Sequence, residues 1–208
     1  MQANTIEIQN LTISNFKGSS YDITDLIVET NIFEDIFSNT LSASFVVVDS
    51  SGVLANLPVV GQELIQMTFK TPFTRLSVVK LLVYKLENVS QINSHTTTYI
   101  LHTLSSESID NILKPFSKYY NGTSSQIVQT CFNDFFKTDK KLNIEPSRFS
   151  TEIIVPYWTP FYLFNWLAAR SISIQGSQPS FVFYETMKDG FNFKSIESML
   201  KTQSQTKW

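Results

Sequence analysis

The chain has 208 residues, enough for one large domain or two small ones, and 42% of them are hydrophobic, which excludes a disordered segment. Aromatics are abundant, with 17 Phe, 8 Tyr and 3 Trp, while charged residues make up only 16%; so little charge suits a protein that hides much of its surface against partners. The net charge of −2 comes from 16 basic and 18 acidic residues mixed along the chain, so no basic stripe is present to bind nucleic acid.

The opening Met1-Gln2-Ala3-Asn4-Thr5 lacks the charged and apolar regions of a signal peptide. No apolar run nears the roughly 20 residues that span a bilayer, so no membrane partner is expected. Residues 22–37 read as a strand or two, ending near Ser38-Asn39. In 41–49, Leu41, Ala43, Phe45 and Val47 alternate with polar Ser42 and Ser44. In 62–70, Ile65, Met67 and Phe69 oppose Gln66, Thr68 and Lys70. Period two over such lengths is the mark of a half-buried strand. Residues 76–87 and 95–104, rich in Val, Leu, Thr and Tyr, make two more strands. Breakers are expected at Asp49-Ser50-Ser51-Gly52, Pro58 to Gly61, Thr71-Pro72 and the polar stretch Asn88 to Ser94. Residues 1–104 therefore read as one antiparallel sheet that curls into a barrel or sandwich.

After Leu104 the period changes. Ser105 or Ser106 can cap a helix running to about Lys118 and carrying Ile109, Ile112, Leu113 and Phe116. Thr123 and Gln126 stand at capping-box spacing, followed on one helical face by Ile127, Cys131, Phe132 and Phe135. Thr159-Pro160 has the form of an N-cap with proline at the first helical position, with Phe161, Phe164, Leu167 and Ala168 as the apolar stripe. Trp166, inside that helix, is expected in the core. Residues 180–186 and 191–194 alternate around an Asp189-Gly190 turn, and a short helix follows Ser195. The fold class is thus α+β: an amino-terminal β-barrel domain in 1–104 and a smaller α+β domain in 105–208.

Residues able to carry chemistry are sparse. His95 and His102 fall in one strand region, seven apart, and so point to opposite faces, which argues against a shared metal. Cys131 is the single cysteine, which excludes an intrachain disulfide and a Cys-rich metal site; it sits on an apolar helix face, where a buried inert thiol is expected, and a cytosolic folding environment follows. Glu34-Asp35, Glu185 and Asp189 lie by turns or strand ends without partners that suggest a glycosidase pair. Trp158 and Trp166 could line a sugar site, but Trp166 falls inside the 161–168 helix and is more simply core. No GxSxG, HExxH, GxGxxG or Walker-type motif occurs. No catalytic, cofactor-binding or metal residues are assigned, no cofactor is implied, and no enzymatic activity is expected.

Three stretches carry a resemblance. The first runs from Ile23 to Pro72, with the acidic strand and turn Glu34 to Asn39, a strand ending at Asp49, the turn Leu57-Pro58-Val59-Val60-Gly61-Gln62-Glu63, and a strand closing on Thr71-Pro72. The second is Leu104 to Phe136. The third sets Pro160-Phe161, Trp166-Leu167-Ala168, Phe183-Tyr184-Glu185-Thr186 and Asp189-Gly190-Phe191 in that order. Together they resemble the baseplate hub proteins of contractile-tailed bacteriophages and the hub part of VgrG-type secretion spikes, within the tail-tube superfamily.

The resemblance implies a tube-like barrel followed by a scaffold domain, in a structural protein that links tail tube to central spike within the virion, after synthesis in the host cytoplasm. It implies a homotrimer in the assembled hub, with the tail tube protein, the central spike protein and other baseplate proteins as partners. Another tail component with the same domain, or a carbohydrate-binding or hydrolytic tail module, is the alternative. Hubs of this kind carry two barrels per chain, whereas strand periodicity here supports one, in 1–104. The polar stretch Lys201 to Lys207 before Trp208 has the character of a domain junction. A second barrel beyond Trp208, or a partner chain in its place, is therefore expected. Gly61 is expected to hold a backbone conformation that other residues avoid.

Overall fold

The computed structural model describes residues 7–57, 59–71 and 74–201. The expected turn residues Pro58 and Pro72, the first five residues and the tail from Thr202 to Trp208 lie outside them. By contact the chain forms two compact units, Met1–Phe33 with Ser42–Ser106 and Glu34–Leu41 with Glu107–Trp208.

In the first unit, β1 (Glu7–Ser14) turns into β2 (Ser20–Asp22), and a 3-10 turn at Thr24–Leu26 leads to β3 (Ile27–Phe33). β4 (Ser42–Asp49), the one-turn helix α1 (Val53–Asn56), β5 (Leu64–Thr71), β6 (Thr74–Asn93) and β7 (Thr96–Leu104) follow. Among the described residues these seven strands form one antiparallel sheet in the order β2-β1-β5-β6-β7-β4-β3. The expected alternation holds: Ala43, Phe45 and Val47 of β4 and Ile65, Met67 and Phe69 of β5 are buried, with Leu11, Ile13, Leu81, Val83 and Leu101 from neighbouring strands. Apart from the small Ala43, each such side chain contributes about 1.5–3 kcal/mol by leaving water. The sheet curls into a half-barrel rather than the expected barrel, because β2 and β3 end the strand order without pairing to each other. β2 is only three residues long, a short edge with little to offer a partner.

The polar run Asn88 to Ser94 does not break the sheet as expected. β6 continues to Asn93, pairs with β7, and leaves only Ser94-His95 as the turn. Register shifts between Val83 and Lys85, Glu87 and Ser90, and Gln91 and Asn93 absorb the polar residues. Asn88 sits at φ 54, a conformation asparagine tolerates better than most side chains. Pairing of β5 with β6 stops at Leu64 and Leu82, so the far half of β6 is kept in the sheet by β7.

The second unit contains α2 (Ser106–Leu113), β8 (Tyr119–Thr123), α3 (Ser124–Phe135), β9 (Leu142–Ile144), β10 (Ser150–Ile154), α4 (Pro160–Ala168), β11 (Phe181–Thr186), β12 (Gly190–Ser195) and α5 (Ile196–Lys201). It takes in slightly more of the chain than the first, where a smaller domain was expected, partly because Glu34–Leu41 belongs to it. β8 pairs with β10, and β11-β12-β9 form a small sheet in which β9 runs parallel to β12.

The local signals here were sound. Thr123 and Gln126 form a reciprocal capping box at the start of α3, and Thr159 is the N-cap of α4 with Pro160 inside the first turn. The core is largely phenylalanine: Phe183 stacks on Phe191 at 5.6 Å, Phe164 lies 4.8 Å from Phe183, and Phe132 lies 5.1 Å from Phe191. One reading changes. α2 stops at Leu113, short of Lys118, and its Ile112 and Leu113 are exposed at 66% and 71%. Phe116 reaches the core from outside the helix, through a bridge to Trp158.

Candidate functional site

Two acids in the quoted turns are occupied by backbone. Buried Asp49 accepts the N–H groups of Ser51, Val53 and Leu54 at 2.9–3.0 Å, which closes the turn into α1. Buried Glu63 accepts those of Val60, Gly61 and Gln62 at 2.9, 3.0 and 3.2 Å, while Gly61 stands at φ +95 as expected. The Gly-x-Glu spacing is thus a turn that caps itself: glycine supplies the backbone angle and glutamate the acceptors. Neither carboxylate is available as a catalyst.

Folding brings two further carboxylates together, which the scattered acids of the sequence did not foretell. Glu107 of α2 and Glu185 of β11 lie 2.8 and 2.7 Å from Nζ of Lys140, and their side chains are 3% and 1% exposed. Thr138 donates to Glu107 at 2.6 Å, and the N–H of Leu41 donates to Glu185 at 3.0 Å. Burial alone would raise the Glu107 carboxyl, but the charge and hydrogen bond of Lys140, with Thr138, carry it below the ordinary carboxylate range. A glycosidase pair needs space for a sugar between its acids, and here an ammonium fills that position. The arrangement is an internal brace.

The histidines share no site. His102 on β7 places Nε2 2.7 Å from Glu87, which also holds Lys85 at 3.0 Å, whereas His95 lies in the turn before β7 and not in a strand. No group of three or more His, Cys, Asp or Glu able to hold a metal occurs among the described residues. Cys131 is fully buried, and burial pushes its thiol up to about 12, so it stays protonated and unreactive at neutral pH.

Trp166 is not a core residue as expected. It packs on the core from one side, lies 5.8 Å from Trp158, and carries the Arg170 guanidinium 4.1 Å above its ring. Trp158 in turn sits 4.7 Å from Tyr162. These rings pack against one another and against a cation, as clustered aromatics commonly do.

What the molecule does offer is exposed apolar surface and open strand edge. In the first unit β3 ends the sheet with Val28 and Phe33 exposed, and Leu76, Val78 and Tyr84 of β6 face solvent. In the second, Tyr119 and Ile154 pair across β8 and β10 and are 55% and 74% exposed. Tyr157 follows at φ 54, held there by its N–H to Oγ of Ser117 at 3.1 Å, with its ring 71% exposed. A bulky residue at positive φ, fixed by its neighbours and presented outward, is the kind of outlier that marks function. Apolar surface of this kind is a mark of interaction.

Solved structures match this arrangement closely enough to place the fold. The 43 kDa tail protein of prophage MuSo2 from Shewanella oneidensis superposes with a TM-score of 0.59 at 12% identity, over 89% of this chain and 54% of its own. A tail protein from Neisseria meningitidis gives 0.57 at 8% identity, over 88% and 49%. The fold is the one these tail proteins share. A third structure, the E. coli c3393 protein, gives 0.55 at 12% identity over 94% and 50%; it is described as a type VI secretion component similar to the T4 tail proteins gp27 and gp5. The present chain spans about half the length of these proteins. No protein-family model and no curated sequence matches it. Within this fold the two self-capping turns and the Lys140 brace hold backbone and buried charge in place, while the β3 edge and the aromatics Tyr119 and Tyr157 remain exposed.

Proposed function

We propose that the chain is a non-enzymatic component of a phage tail, located at the baseplate hub, where it joins the tail tube to the central spike. The observation that carries this reading is the likeness of fold to two tail proteins over nearly nine-tenths of the chain. The open half-barrel is in keeping with it: a strand edge at β3 and exposed apolar side chains on β6 gain cover when a neighbouring subunit adds to the sheet. In this reading residues 1–104 are the tube-like domain and 105–208 the hub domain.

Three copies form the hub, and because each brings one half-barrel, alternate positions of the tube-facing ring are filled by a further barrel or a partner chain. The tail tube protein, the spike and other baseplate proteins are the partners, and the assembled virion tail is the location. The test is reconstitution with the tail tube and spike proteins of the same virus. Co-elution with the spike and a threefold particle in electron micrographs are expected. A chain that stays apart from both at micromolar concentration overturns the reading. A stable hexamer of the chain alone, seen by light scattering, overturns the trimer.

A further inference from the structure

The segment Glu34–Leu41 belongs to the second unit, yet little of it is buried. Leu41 is 4% exposed, Asn39 and Thr40 are intermediate, and residues 34–38 are open to solvent. Polar contacts hold it. The Glu34 carboxylate accepts the N–H of Met187 at 3.4 Å. Asn39 and Asn165 exchange side-chain hydrogen bonds at 2.9 Å, and Asn39 also donates to the carbonyl of Phe183 at 3.0 Å. The hydroxyls of Thr40 and Ser108 meet at 2.6 Å, and the N–H of Leu41 donates to Glu185 at 3.0 Å.

Hydrogen bonds with little apolar burial place a segment at the low end of local stability. The core around it has the opposite character, with Phe164, Phe183 and Phe191 at 0–2% exposure. What the segment covers is also specific. β11 is an end strand of its three-stranded sheet, and the Phe183 carbonyl capped by Asn39 is on that strand. Glu185, which holds Leu41, is itself fixed by Lys140 through its other oxygen at 2.7 Å.

We propose that Glu34–Leu41 is a latch that opens as one piece while α3, β11 and β12 stay folded. Closed, it caps the β11 edge against strand addition; open, it exposes that edge. Lys140 sets its strength by aiming Glu185 at the Leu41 amide. The double variant Asn39→Ala/Thr40→Val removes latch contacts without touching the Lys140 brace or the phenylalanine core. Residue-resolved hydrogen exchange reads the result, with Phe136 and Phe191 as core references, since their N–H groups bond to Phe132 and Lys141. In the parent, Leu41 exchanges faster than either reference. In the double variant it speeds up by about tenfold or more while the references hold still. A parent in which Leu41 exchanges as slowly as Phe136 and Phe191, or a variant that accelerates all three together, overturns the latch. Lys140→Met accelerates Leu41 in the same way if it folds; if it does not, the double variant decides alone.

Discussion

In the first unit the buried acids work locally. Asp49 and Glu63 each cap backbone N–H groups no more than five residues away in sequence. In the second, Glu107 reaches Thr138 and Lys140 at separations of 31 and 33 residues, and Glu185 reaches Leu41 at 144. The cores differ in the same sense. Alternating strands bury one face of the first unit, whereas the phenylalanines of the second come from α3, α4, β11 and β12 and meet only when those elements pack. The first unit is thus assembled from devices each strand or turn carries with it. The second depends on long-range closure, and removing one member leaves others unsatisfied.

The largest effects should fall on the second core. Phe164→Ala, at a site with no exposure, should cost about 3–5 kcal/mol in urea unfolding, and Trp166→Ala about half as much because one side of that ring faces outward. Equal losses would return Trp166 to the core and erase the distinction drawn here. Lys140→Ala should cost about 3 kcal/mol, the low end for a broken buried pair, since its ammonium is partly exposed while both carboxylates are not. Lys85→Ala, in the exposed trio with Glu87 and His102, should give no resolvable change in the same titration. A loss at Lys85 rivalling that at Lys140 would refute the contrast between the units.

Two glycines divide between the units in the same way. Gly61 stands at φ +95 with room for a Cβ, the nearest atom being the Tyr84 carbonyl at 3.9 Å, so Gly61→Ala should cost only the backbone strain of about 1–2 kcal/mol. At Gly190, φ +74, a Cβ would come within 2.6 Å of the Lys141 carbonyl, and Gly190→Ala should cost more than that by displacing the strand entry at β9. Thermal melts of the two variants side by side check the order.

The smallest effect is in pH dependence. Glu107 titrates below the ordinary range in the folded chain, so its contribution is complete above the unfolded value and is lost as pH falls through the folded one. Glu34 has the opposite sign. Partial desolvation of the carboxyl where it meets Met187 comes first, then the nearby charges of Asp189 and Glu185; together they raise it although the residue as a whole is exposed, so ionised Glu34 is a penalty that disappears as pH falls through its raised value. Acidification from neutral should therefore first relieve Glu34 and then, at lower pH, remove the contribution of Glu107. Glu34→Gln should flatten the first limb and leave the second, as read from urea midpoints across the acid range.

Much of this was legible in residue order. The strands at 41–49 and 62–70, the capping box at Thr123 and Gln126, the helix start at Thr159-Pro160 and the Asp189-Gly190 turn are all specified by neighbours within a few positions. Their physics is local: alternation sets a face, a side chain caps its own turn, glycine takes a positive φ. Other features could not be read that way. Asn88–Asn93 is polar enough to be a loop and is a strand only because β7 lies beside it to absorb the bulges. The three residues of β9 are too few to carry a period, and their parallel pairing with β12 is settled by packing. Ile112 and Leu113 look like core residues in sequence but face solvent once α2 ends early and turns buried Glu107 inward. Whether an acid is scattered or braced depends on which distant lysine folding delivers to it. Sequence by itself determined the alternating strands, the glycine turns and the capped helix starts of this chain; tertiary structure alone decided the far half of β6, the strand β9, and where the charges, the open edges and the Glu34–Leu41 latch came to lie, because those rest on partners that only closure brings within hydrogen-bonding reach.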